Sequence, residues 1–266
     1  MYKLGFIGCG NMATAIVNGA VASGFLKGEE ICVFDVDTAK ADSLKENLGV
    51  NVLDSASAVA ENSYAVVLAV KPQVFPVVLP QIKNSVAKND TAIISIGAGK
   101  TLNYIISFFE DYTPVVRVMP NINAKVGASM SAVCGNDNVD DELLKFTKEL
   151  CKSFGDVIEL PESQFSIFGV IAGCSPAYAF MFIDSMARGA VENGMSREQA
   201  LKISAQAVLG SAKMMLESDE SPWALINSVC SPGGTTIEGI ATLQNEKFDK
   251  AVMDAVQASF EKDKRL

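Results

Sequence analysis

Six consecutive residues, Gly8-Cys9-Gly10-Asn11-Met12-Ala13, fit the pattern G-x-G-x-x-A directly after an apolar run ending at Ile7. Small residues at these positions allow a tight turn, let a pyrophosphate approach the backbone and pack a helix closely on a strand. The helix start adds N–H donors and positive potential. Ile7, Gly8, Cys9, Gly10, Asn11 and Met12 are therefore candidate dinucleotide contacts, with a Gly-rich turn that holds no ligand as the bland alternative. Asp35 ends the next apolar run, about 20 residues further on, where a carboxylate suits the adenosine ribose hydroxyls. Such a carboxylate repels a 2′-phosphate, and Val36-Asp37-Thr38-Ala39 offer no arginine to offset it, Lys40 being the nearby cation. The cofactor is thus NADH or NADPH, with NADH preferred. Later runs end in Ala69-Val70-Lys71-Pro72, Gly97-Ala98-Gly99 and Met119-Pro120-Asn121. In a doubly wound sheet those carboxyl ends face the ligand crevice, which adds Ala69, Val70, Lys71, Pro72, Ala98 and Asn121 as cofactor candidates. Lys71 also reads as a solvated surface lysine, Pro72 and Pro120 as strand terminators, and Asp37 as a helix cap.

A second constellation is Cys230-Ser231-Pro232-Gly233-Gly234-Thr235-Thr236. It reads either as a helix–helix turn with Thr235 as N-cap or as a set of free N–H groups that cradle a carboxylate. The second reading suits a chain of net charge −9. With a pI near 4.7, it has no clustered positive field for nucleic acid or an anionic membrane. There is no histidine, which excludes Ser-His and Cys-His nucleophiles. The six cysteines contain no C-x-x-C pair, so no metal site is expected and the thiols read as reduced and mostly buried.

These residues need elements to hold them. Strand-like runs at 3–7, 31–35, 65–70, 92–96 and 115–119, with weaker ones at 129–134 and 157–160, alternate with helical patterns. Such alternation predicts an α/β fold, a Rossmann-type doubly wound, mostly parallel sheet. After Pro161 the strand signals stop, giving a dinucleotide-binding domain over 1–160 and an all-α domain over 161–266. Pro176 opens a helix that ends near Gly194, Ser196 and Gln199 stand at capping-box spacing, Ser221-Pro222 starts another helix, and two more follow Gly234 and Asn245. The apolar stretch 165–183 is interrupted by Ser166, Ser175 and Pro176 and reads as a buried helix or an oligomer interface rather than a membrane span. Its aromatic and Met content, continued to Gly194, favours an obligate dimer interface. The N-terminus runs straight into a strand pattern without a signal-type region, so a cytoplasmic location is expected.

Taken in order, Gly5-Phe6-Ile7-Gly8-Cys9-Gly10-Asn11-Met12-Ala13, Ala69-Val70-Lys71-Pro72, Arg117-Val118-Met119-Pro120-Asn121, Ser175-Pro176-Ala177-Tyr178, residues 205–214 and Ser231-Pro232-Gly233-Gly234-Thr235-Thr236-Ile237 resemble the successive signatures of the pyrroline-5-carboxylate reductase family. The resemblance implies a Rossmann domain followed by a helical domain that interlocks two subunits, with dimers often assembled into rings. It implies reduction of 1-pyrroline-5-carboxylate to L-proline, the last step of proline biosynthesis. Ser231, Gly233, Gly234, Thr235 and Thr236 would then hold the substrate, and the Thr236 hydroxyl would bond the imine nitrogen as the catalytic group. The chain departs from the pattern at Cys174, Ile122-Asn123, Ser221 and Ile226-Asn227. A β-hydroxyacid dehydrogenase, with Lys202 or Lys213 as its catalytic lysine, and a catalytically silent nucleotide-binding protein are the competing readings.

Overall fold

The apolar runs form the strands of one eight-stranded sheet, in the order β3-β2-β1-β4-β5-β6-β7-β8. They are β1 (Tyr2–Ile7), β2 (Ile31–Phe34), β3 (Asn51–Val52), β4 (Ser63–Leu68), β5 (Ala92–Ser95), β6 (Val115–Met119), β7 (Ser129–Gly135) and β8 (Gly155–Glu159). Neighbours pair in parallel throughout, except that β7 runs antiparallel to β6. β3 carries no apolar run to announce it; the Asn51 side chain donates to the carbonyls of Glu29 and Ile31 and ties it to the edge of β2.

Both faces of the sheet are covered, which explains strands that are apolar at nearly every position. Leu4 and Phe6 of β1 and Ala65 and Val67 of β4 face a core shared with the helix Asn11–Ala22. Ile7, Val66 and Leu68 face a second core shared with the helix Phe75–Asn89. All six cysteines are free, with Cys9, Cys32, Cys134 and Cys151 buried.

The computed structural model describes residues 1–265, which fall into two units, Met1–Gly173 and Cys174–Arg265. The sequence places the change of architecture after Pro161, and the strands do end at Glu159. The first unit nevertheless runs on to Gly173. Glu162 and the 1%-exposed Phe165 are held on the sheet, Glu162 in an ion pair with Arg117 and Phe165 under the Arg117 guanidinium.

The second unit holds five helices, Ser175–Glu192, Arg197–Glu217, Pro222–Val229, Thr235–Asn245 and Phe248–Asp263. The Ser196 hydroxyl accepts from the Gln199 N–H and the Ser221 hydroxyl from that of Ala224, so both helices start at the serines marked by the sequence. Asp184 pairs with Arg188 on its own helix and with Arg197 on the next. Little of this unit is buried. The helical run Glu162–Glu192 is long and apolar enough to cross a membrane by length and composition, yet only a small part of it is covered within the chain. Phe165, Val170 and Ala172 are buried within the chain, and the exposed remainder fits an interface with a second copy.

Candidate active site

Gly8 links β1 to the first helix at φ +101°, a conformation that disfavours any side chain. A Cβ there would also lie 2.8 Å from the Ala69 carbonyl group, so the loops after β1 and β4 meet with no room between them. At Gly10 a Cβ would meet nothing within 4 Å, which leaves the backbone at the helix start open to a ligand. That opening fits a pyrophosphate, because the helix Asn11–Ala22 has no side-chain cap and its first-turn N–H groups have no intrahelical acceptor.

Asp35 lies just beyond β2 and reaches back to this loop. Its Oδ2 accepts from the Cys9 N–H at 2.6 Å and its Oδ1 from the Asp37 N–H at 2.9 Å. The carboxylate is therefore fixed by two backbone donors while keeping further lone pairs for hydroxyl donors. Burial, followed by the charge of Asp35, pushes the Cys9 thiol up to about 12, so it stays protonated and unreactive. Asp37 does stand at the N-cap of the next helix, but its side chain makes no capping bond and instead pairs with Lys40 at 3.0 Å. That hydrogen bond raises the Lys40 pKa and engages the nearby cation.

A cavity of 630 Å³ opens here, with Cys9, Gly10, Asn11, Lys40 and Lys71 on its walls. Lys71 is thus part of the cavity wall, and Pro72 begins a short turn directly after it. Ile7 is buried beneath in the second core and Met12 packs on the first. Ala69 continues the β4 pairing through its N–H to the Ile7 carbonyl, and Val70 abuts Gly8. Ala98 is exposed in the loop after β5. Asn121 is buried, with its amide donating to the Ala172 carbonyl at 2.9 Å. Thr14, Asn18, Ser43 and Asn47 also line the cavity and were not marked by the fingerprint. Their signal is polar residues three to four apart on the two helices flanking the loop.

In the second unit, Cys230–Gly234 forms a turn in which Gly233 takes φ +69° and the Gly234 N–H donates to the Ser231 carbonyl at 3.0 Å. The N-cap is Gly234 in extended conformation, not Thr235, and no side chain caps the helix. Thr235 is already helical, which leaves the N–H groups of Thr235, Thr236 and Ile237 without intrahelical acceptors. The Gly234 N–H, by contrast, is spent within the turn. Ser231, Gly233 and Thr235 are exposed and Thr236 is half-buried. Among the lysines weighed for a dehydrogenase, Lys213 pairs with Glu217 on an exposed face and Lys202 is exposed. Among the described residues no group of three or more His, Cys, Asp and Glu side chains is arranged to hold a metal.

Residues 3–99 match the family model described as NADP oxidoreductase, coenzyme F420-dependent, and residues 162–266 match that of pyrroline-5-carboxylate reductase dimerisation. Pyrroline-5-carboxylate reductase of Escherichia coli is 41% identical over 99% of this chain and 98% of its own length. The solved pyrroline-5-carboxylate reductase of Coxiella burnetii superposes with a TM-score of 0.94 at 31% identity, covering 99% of this chain and 98% of the other. Pyrroline carboxylate reductase of Plasmodium falciparum, solved with NADP bound, gives 0.86 at 32% identity over 99% and 97%. The likeness in sequence and in structure thus runs along the whole length, and this chain belongs to the pyrroline-5-carboxylate reductase family.

Proposed function

We propose that this protein reduces 1-pyrroline-5-carboxylate to L-proline with NADH or NADPH, the last step of proline biosynthesis. The observation that carries this reading is that one chain, 41% identical to the Escherichia coli enzyme, holds both an open dinucleotide loop at Gly8–Met12 and an uncapped helix start at Thr235–Ile237. A bound dihydronicotinamide supplies the hydride. The chain supplies positioning. The free N–H groups of the Thr235 turn, with Ser231, Gly233 and Gly234 shaping it, hold the substrate carboxylate, and the Thr236 hydroxyl bonds the imine nitrogen. A protonated imine already accepts hydride readily, so orientation and electrostatics carry the step and no histidine is needed.

Asp35 sets the cofactor preference. Its carboxylate is fixed on the loop, and Lys40 is engaged by Asp37, so a 2′-phosphate meets negative charge and NADH is favoured. Ala69, Val70, Lys71, Pro72 and Ala98 complete the cofactor contacts along the carboxyl ends of β4 and β5. The helical unit is a dimerisation domain. Its exposed apolar helices support a homodimer; the reading extends to interlocked subunits that can assemble into a ring of dimers and act on a small molecule in the cytoplasm.

The test is oxidation of NADH and NADPH with racemic pyrroline-5-carboxylate, set against 3-hydroxy acids with the oxidised cofactors. Turnover of the imine alone is expected. Turnover of the hydroxy acids, or cofactor binding without turnover of either, would replace the reading.

A further inference from the structure

The far side of β6 does something the cofactor reading leaves unused. Three alternate residues, Arg117, Met119 and Asn121, each grip the segment that leads out of the first unit. The Arg117 guanidinium, 6% exposed, pairs with Glu162 at 2.9 Å and lies 4.6 Å from the centre of the Phe165 ring. Met119 packs so closely on Gly169 that a Cβ there would lie 3.1 Å from its sulfur. The Asn121 amide nitrogen donates to the Ala172 carbonyl at 2.9 Å, while its Oδ1 accepts from the Asn123 N–H and its own N–H donates to the Ser129 hydroxyl. Positions 162, 165, 169 and 172 follow helical spacing and fall on one face, so one edge of the strand holds one face of the segment.

The last rung has a chemical reason. In an α-helix the Ala172 carbonyl would accept from the N–H of residue 176, but that residue is Pro176 and has none. The backbone from Gly169 to Cys174 widens to a π-turn, and the donor arrives from Asn121 instead. Asn121 was a cofactor candidate on sequence grounds. Its buried amide is committed to this helix.

We propose that Asn121 is a positioning residue of the reductase, the last rung of a clamp that fixes the segment 162–173, the stretch of chain that leads to the helices carrying the substrate loop. This rests on the proposed imine reduction, in which the cofactor and the substrate carboxylate are held by different segments and small misplacements are costly.

The experiment uses the full-length dimer. Asn121→Ala is expected to lower kcat about tenfold or more, to leave the dissociation constant for NADH within about twofold, and to speed hydrogen exchange at 169–174. Weakened NADH binding with unchanged kcat would make Asn121 a cofactor ligand and overturn the proposal, as would unchanged kcat or unchanged exchange. Should Asn121→Ala fail to give a folded dimer, Asn121→Asp keeps the Oδ1 acceptor for the Asn123 N–H while removing the donor to the Ala172 carbonyl, and is expected to lower kcat at least about threefold with NADH affinity kept; no change in kcat overturns the proposal. Lack of imine turnover in the wild type sinks the reductase reading instead, and the exchange measurements still judge the clamp.

Discussion

Phe6, Phe75, Phe154 and Phe165 of the first unit are all under 2% exposed, whereas Phe180, Leu209 and Met214 of the second are 61%, 62% and 57% exposed. The first unit closes two cores on its own. Among the described residues of the second, the buried side chains are Pro176, Ala187, Ala200 and Ser204, too little to hold five helices together. The difference teaches where the second unit's stability comes from: its apolar faces are the missing half of a core that another copy provides.

The sharpest way to break this comparison is Phe180→Asp. In a lone chain the substitution sits on an exposed site and should be silent, but in a dimer it buries an unpaired charge, worth on the order of 3 to 5 kcal/mol. We expect light scattering to show monomers and denaturation to show early loss of helix, with the sheet persisting. A dimer as stable as wild type would mean this face is not the interface. Next in size is Thr236→Ala, in the first turn of the helix Thr235–Asn245, which holds no buried residue. It should fold and dimerise normally yet lose about 2 to 4 kcal/mol of transition-state stabilisation, roughly 30- to 1,000-fold in kcat/KM. Unchanged catalytic efficiency would remove Thr236 from the mechanism.

Asp35→Ser probes the self-sufficient unit. Relief of one unit of repulsion at about 4 Å is worth about 1 to 4 kcal/mol, so steady-state kinetics should swing toward NADPH by roughly fivefold to several hundredfold, with the dimer intact. Equal or better NADPH efficiency in the wild type would defeat the preference. The smallest effect concerns Asp184, whose carboxyl is held below its ordinary pKa by hydrogen bonds from Arg197 and then Arg188. A folded-state pKa below the unfolded one stabilises above the ordinary carboxylate range, and that share is lost as pH falls through the depressed value. Melting curves of wild type and Asp184→Asn should therefore differ at pH 7 and converge in strong acid. Because the group is exposed the gap is small, and a gap that widens in acid would refute the assignment.

Much of this was legible in the residues. The central strands announce themselves because burial on both faces leaves only apolar choices, and Ser196 and Ser221 cap the helices their spacing suggests. β3 was not legible, since two residues held through the Asn51 side chain leave no periodicity. Nor was the pairing of Asp37 with Lys40 in place of a cap, or the extension of the first unit to Gly173. That extension depends on Arg117 and Asn121 meeting residues 45 and 51 positions away, which local pattern does not encode. At the substrate loop, type and spacing located the turn. They did not say that Gly234, with its own N–H committed to Ser231, rather than Thr235, would cap the helix.

The uncovered second unit also sets an order of events in time. Every strand lies ahead of Pro161, so the sheet and both its cores can close while the ribosome is still adding the helices. The helices, released last, cannot finish folding alone and must wait for a second polypeptide. Their completion is a collision between two molecules, so refolding at high dilution should stall with a formed sheet and unsettled helices, and its last phase should quicken in proportion to protein concentration.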